Sequence, residues 1–243
     1  MLELRLLGTT DLRGVDPAAA DALLSQSKCV ALLAYLALER PGTLHRRDRL
    51  VGLLWPELDQ EHARAALRKA VHAVRRTLGP DALAARGDEE IGLAEGALWC
   101  DALAFEEAVE RHAYEQALDL YRRDLLPGFY VPEAGEFEDW LERTRTALRD
   151  RAAAAAWSIA ARSEEAGHHT VSTRYARQAV MLAPTDERML RRVMQLLDRL
   201  GDRAGAVYVY EDFARRLKRE YGAEPSAETR ALRGSGRPAS PAR

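Results

Sequence analysis

The chain is poor in the residues that lock small proteins or carry common chemistry. It has two cysteines in 243 residues, Cys29 and Cys100, and neither has a CxxC neighbour. That excludes a disulfide framework and a thiolate zinc cluster, and two buried thiols in a reducing compartment are expected instead. Lysine is almost missing: Lys28, Lys69 and Lys218 are the only three among 36 Lys and Arg. An arginine on a helix is therefore weak evidence of function until its neighbours are known. Long apolar runs are absent too. The longest, Cys29 to Leu38, is too short to span a bilayer, and Leu2 to Leu7 alternates apolar with charged residues like a strand, unlike a signal peptide core. A cytoplasmic protein without membrane contact is expected. No GxxxxGK loop, HExxH motif or GxSxG elbow occurs, so neither an enzyme nor a cofactor is expected. A formal net charge of −2 excludes a wholly basic protein and confines any nucleic-acid binding to a local patch.

Such a patch is visible between Thr43 and Leu78. A short helix carrying Leu50, Leu53, Leu54 and Trp55 is broken at Pro56, and a second helix begins near Asp59. In the second helix Leu67, Val71, Val74 and Leu78 form one apolar stripe. At about 100° per residue, Arg68, Lys69, His72 and Arg76 fall on the opposite side, with Arg64 and Arg75 at its flank. Two helices in this order suit a helix-turn-helix whose second member lies in a DNA major groove, where Arg and Lys neutralise phosphates or reach guanine edges. Solvation of an ordinary charged face explains the same charges. Asp59 and Glu61 in the first turn and Arg75 and Arg76 in the last also complement the helix dipole, which is a structural role.

Around this pair, Leu2 to Arg13 suits strands, and Ser25 or Ser27 is placed to cap a helix that runs to Leu38 and is closed by Pro41 and Gly42. Ala82 to Ala85 and Ile91 to Trp99 flank the turn Arg86, Gly87 and Asp88 as a β-hairpin. Strands, three helices and a terminal hairpin make a winged helix-turn-helix. From Asp101 the pattern is helical throughout, with helices expected near 105–112, 114–123, 136–166, 171–182, 187–200 and 203–221. Gly167 and Gly201 lie 34 positions apart, the tetratricopeptide period, and at that offset Ser172 meets Ala206, two small residues suited to a close helix contact. The expected fold is mainly α: an N-terminal winged helix-turn-helix (α+β) over 1–100, all-α tetratricopeptide-like helical repeats over 101–233, and a disordered tail over 234–243.

Together these pieces resemble the bacterial transcriptional activator family that joins an OmpR-like winged helix to a helical activation domain, as in the Streptomyces antibiotic regulatory proteins. The resemblance runs through Leu4-Arg5-Leu6-Leu7-Gly8, Leu32 to Leu38, Leu50-Val51-Gly52-Leu53-Leu54-Trp55-Pro56, Ala63 to Arg68, Val74 to Gly79, and Asp101 with Phe105. It continues in Leu120 to Leu126, Pro184 with Glu187, Gly201 with Tyr210, and Tyr221-Gly222-Ala223-Glu224-Pro225. It implies promoter binding as a homodimer and activation through RNA polymerase. By position it places Arg64, Arg68, Lys69, His72, Arg75 and Arg76 on or beside the DNA-facing helix, with Arg46 and Arg47 near the backbone. Asp88, Glu89 and Glu90 crowd the wing turn, where a phosphate contact prefers bases. Either Arg86 acts there alone or the wing faces a protein.

Other conspicuous residues have structural readings. Trp55 suits a core or turn anchor, Trp140 and Trp157 a helical core, His168 and His169 a loop, and Glu164 with Glu165 a solvated helix end. His72 is either a DNA contact or a surface histidine. The expected function is sequence-specific DNA-binding transcriptional activation, with double-stranded promoter DNA and RNA polymerase as partners and nucleoid association when bound. The alternatives are a protein-interaction scaffold with a degenerate winged helix and the N-terminal fragment of a larger regulator.

Overall fold

The computed structural model describes residues 1–39 and 42–234. Among them the chain forms β1 (Glu3–Arg5), β2 (Asp11–Arg13), α1 (Pro17–Leu24), α2 (Ser27–Leu38), β3 (His45–Arg46), α3 (Arg47–Leu54), α4 (Gln60–Leu78), β4 (Leu83–Arg86), β5 (Glu90–Leu93) and β6 (Trp99–Cys100). Seven helices follow: α5 (Asp101–Glu110), α6 (Tyr114–Leu120), α7 (Gly135–Glu165), α8 (His169–Leu182), α9 (Glu187–Arg199), α10 (Arg203–Tyr221) and α11 (Ala227–Gly234). The fold is mainly α, with an N-terminal winged helix. It divides into two compact units, one of residues 1–111 and 119–148, the other of 112–118 and 149 onward.

In the first unit α2 is the centre. Every residue from Cys29 to Ala37 is buried, so this helix has no polar face and must be surrounded. Removing a Leu such as Leu32, Leu33 or Leu36 from water contributes about 1.5–3 kcal/mol. One small sheet has the order β2-β1-β6, with β1 antiparallel to β2 and parallel to β6. Beyond it, Leu126 donates its amide to Leu6 O at 2.8 Å and Gly8 to Asp124 O at 3.2 Å, so residues 124–126 extend the pairing. Asp101, only 5% exposed, accepts from the amides of Leu6 at 2.8 Å and Leu7 at 3.0 Å. Burial raises its pKa above the usual carboxylate value, and those two backbone bonds oppose the rise. The other sheet has the order β3-β5-β4.

Several expectations need correction. Neither serine caps α2: Gln26 stands at its N-cap without a side-chain bond to the amides of the first turn, while Ser25 Oγ donates back to Ala22 O. Ile91 to Trp99 is not one strand. It stops at Leu93, and Trp99–Cys100 joins the other sheet beside β1. Helix α1 was not foreseen, although Asp16 followed by Pro17 is a start signal and Asp16 accepts from Ala19 N at 2.9 Å. Pro41, expected to close α2, lies outside the described residues. So does the expected tail of 234–243, apart from Gly234, the last residue of α11.

In the second unit the 34-residue period is repeated in the hydrogen bonds. Gly167 N donates to Glu164 O and Gly201 N to Asp198 O, both at 3.0 Å; His168 N donates to Ser163 O and Asp202 N to Leu197 O, both at 2.8 Å. The two glycines have φ of 76° and 77°, a left-handed helix end that suits glycine. Ser172 and Ala206 are fully buried, and Ser172 Oγ donates to Ala160 O at 2.9 Å, so the small residue also satisfies its hydroxyl on α7. Glu164 is not simply solvated. Arg199 holds it with two bonds of 2.8 and 2.9 Å and keeps its pKa low. Helix α11 packs on α9 and α10, where Glu187 accepts from Ser226 and from the buried Thr229.

Candidate nucleic-acid interface

The candidate interface is built on α3, the turn after it, and α4. Trp55 closes α3 and is 7% exposed, with the Lys28 ammonium 5.7 Å from its ring centroid; Lys28 also pairs with Glu57 at 2.7 Å. Pro56 follows, and Asp59 caps α4 by accepting from Glu61 N at 3.1 Å and His62 N at 3.0 Å. The His62 backbone bond, joined by the His62 side chain, lowers the Asp59 pKa. The inner face of α4 buries Ala63, Leu67, Ala70, Val71, Val74 and Leu78. That locks the rotation of the helix, because turning it out would expose the whole stripe.

Behind this pair lies a brace from the start of α7. Trp140 Nε1 donates to Glu39 Oε2 at 3.0 Å and its ring lies 5.0 Å from Tyr35; Glu136 pairs with Arg49 on α3 at 2.5 Å. Trp140 is buried as expected, whereas Trp157 is only half-buried.

The outer face carries Arg64, Arg68, Lys69, His72 and Arg76, all exposed. Arg64 pairs with Asp48 at 2.9 Å. Arg68, Lys69, His72 and Arg76 have no ion pair or hydrogen bond among the described residues, and with Gln26, Ala65 and Ala73 they line one shallow surface. Arg68 also reaches a second recess of about 470 Å³, lined by Arg46, Arg47, Asp48, Arg64, Leu67, Asp88 and Glu89. Seven of the nine expected cationic or imidazole groups thus meet on two adjoining surfaces.

Arg75 and Arg86 stand apart from both. Arg75 is half-buried and donates from Nη2 to Leu83 O at 3.1 Å, tying the end of α4 to β4. Arg86 is exposed on the wing and pairs with Glu90 at 3.1 Å. The wing itself is held close to α3: β3 pairs with β5 in the register His45↔Ile91 and Arg46↔Glu90. A Cβ on Gly92 would come within 2.3 Å of Thr43 O, so glycine is needed for that approach. Sequence reasoning missed Asp48, Asp88 and Glu89 as residues of the same recess. The acidic wing turn was the one available signal. Cys100 is buried, and burial together with Asp101 pushes its thiol up to about 12, so it is protonated and unreactive.

Residues 90–235 match the family described as bacterial transcriptional activator domain. The chain belongs to that family. A bacterial transcriptional activator domain therefore begins at β5 and takes in every helix from α5 to α11. Regulatory protein AfsR of Streptomyces coelicolor is similar, 30% identical over 216 residues that cover 80% of this chain and 20% of AfsR. Mycobacterium tuberculosis EmbR, solved in complex with a low-affinity phosphopeptide, superposes with a TM-score of 0.63 at 21% identity, covering 96% of this chain and 64% of that one. The second likeness shows the shared fold. The chain spans about a fifth of AfsR and just under two thirds of the EmbR chain. The family is regulatory, and among the described residues no single helix is long and apolar enough to cross a membrane.

Proposed function

We propose that this chain is a sequence-specific DNA-binding transcriptional activator that lays α4 in the major groove of promoter DNA and recruits RNA polymerase. One observation carries the reading: Arg68, Lys69, His72 and Arg76 share one exposed face of a helix whose other face is buried, and none has a partner among the described residues. Unpaired guanidinium and ammonium groups are available to phosphates and guanine edges without first breaking a salt bridge. Arg46, Arg47 and Arg64, at the side of this face, are assigned to the DNA backbone. Residues 1–100 are assigned to DNA binding and 101–233 to activation, with the start of α7 bracing the helix-turn-helix.

Binding to a promoter fragment, selected by genomic footprinting, tests this over a salt series. With about four to six phosphates neutralised, log K should fall with log salt at a slope of roughly −4 to −5. Absent or salt-independent binding would remove the reading. The chain is further assigned as a homodimer on repeated half-sites, acting in the cytoplasm at the nucleoid. Sedimentation with a two-half-site duplex should give a two-to-one complex; a one-to-one complex at saturation excludes it.

A further inference from the structure

The recess beside α4 has a mixed lining that phosphate binding alone does not explain. Arg46, Arg47, Arg64 and Arg68 suit an oxyanion, yet Asp48, Asp88 and Glu89 line the same space of about 470 Å³. Asp48 is accounted for by Arg64. Asp88 and Glu89 form no ion pair among the described residues, and the Nε of Arg47 is buried without a hydrogen-bond partner.

Backbone contacts hold the wing tip at this position. Glu89 O accepts from Arg47 N at 2.7 Å, so the amide that begins α3 is already occupied. The Arg46↔Glu90 register and the close approach of Gly92 to Thr43 hold the turn there. The backbone that carries Asp88 and Glu89 is therefore held beside a cationic seat, and neither carboxylate pairs with it at bonding distance. At physiological salt the Debye length is about 8 Å, so charges lining one recess are only partly screened; an entering phosphate feels these carboxylates, and feels them less as salt rises.

We propose that the wing tip is a built-in competitor for DNA phosphate: Asp88 and Glu89 lower the affinity of the Arg46, Arg47, Arg64 and Arg68 recess for the duplex backbone. The inference rests on the DNA-binding reading. Its consequence is selectivity by repulsion. Phosphate is common to every duplex, so weakening that part of binding leaves base contacts from α4 a larger share of the discrimination.

The test compares the intact chain with Asp88→Asn/Glu89→Gln, which keeps side-chain size and the Glu89 carbonyl contact. The control is Asp81→Asn/Glu95→Gln, the same charge change at exposed positions that do not line the recess. Anisotropy with a labelled mixed-sequence duplex should show the wing variant binding about three- to tenfold tighter than parent and control, the gap narrowing as salt rises. Asp88→Asn alone should move the same way by less. Equal gains in wing variant and control reduce the effect to net charge and overturn the proposal, as does an unchanged or weakened wing variant with a parental melting curve. If neither parent nor variants bind any duplex, the DNA-binding reading falls and takes this inference with it. A parent that binds beside an unchanged wing variant removes the inference alone.

Discussion

Helices α4 and α10 are each 19 residues long and each carries five Arg or Lys residues. They differ in what stands beside those charges. On α10, Arg203 pairs with Asp198, Arg215 and Arg216 share Asp212, and Arg219 pairs with Glu220, which leaves Lys218 unpaired among the described residues. On α4 the only carboxylate is Glu61 in the first turn. Arg64 finds Asp48 on α3, Arg75 finds a carbonyl, and Arg68, Lys69 and Arg76 find nothing among the described residues. In an arginine-rich chain, cation count does not distinguish a binding face from a solvated one. What separates the two helices is whether an acid stands within reach: Asp212 holds Arg215 and Arg216 from within α10, whereas no acid lies within four positions of Arg68, Lys69 or Arg76 on α4.

The largest test of this contrast is Arg68→Ala with Arg76→Ala. Duplex affinity at low salt should fall by roughly 30- to 300-fold and the salt slope should shrink by about 2, with helical content unchanged. Parental affinity in the folded double variant would break the contrast. A finer division lies between neighbours on α4. Arg75→Ala should lower stability by about 1 kcal/mol through loss of the Leu83 contact while leaving DNA binding nearly parental, and Arg76→Ala should do the reverse. Thermal melts beside binding curves check this, and identical behaviour of the two variants rejects it. The smallest effect is expected from Arg215→Ala with Arg219→Ala on α10, two exposed arginines paired with Asp212 and Glu220. Surface pairs of this kind contribute about 0–1 kcal/mol, so stability should shift by no more than that and duplex binding should stay within about twofold. A loss of binding equal to that of the α4 pair would show that bulk charge, not a face, governs affinity.

Much of this was legible before any coordinates. The period of Leu67, Val71, Val74 and Leu78 set which side of α4 is buried, and thus which charges face out. Asp59 and Pro56 marked the turn, and the glycine interval announced the helical pairs. Local chemistry suffices for such features, since caps, breakers and one-face periodicity act within a few residues. Long-range contacts were not legible. Nothing near Arg75 signals that its guanidinium turns in toward Leu83, eight positions on, and nothing near Glu136 signals its pairing with Arg49, 87 positions earlier.

The sequence by itself determined where α3 gives way to α4, which face of α4 is apolar, and the 34-residue repeat, because each depends on the spacing of residues along a single stretch of chain. Only the tertiary structure decided which arginines remain available, that Asp101 would accept from two amides just past the first strand, and that Asp88 and Glu89 share a recess with Arg46, Arg47, Arg64 and Arg68. Charge pairing depends on distance in space, and strand register and helix packing set that distance for residues far apart in the chain.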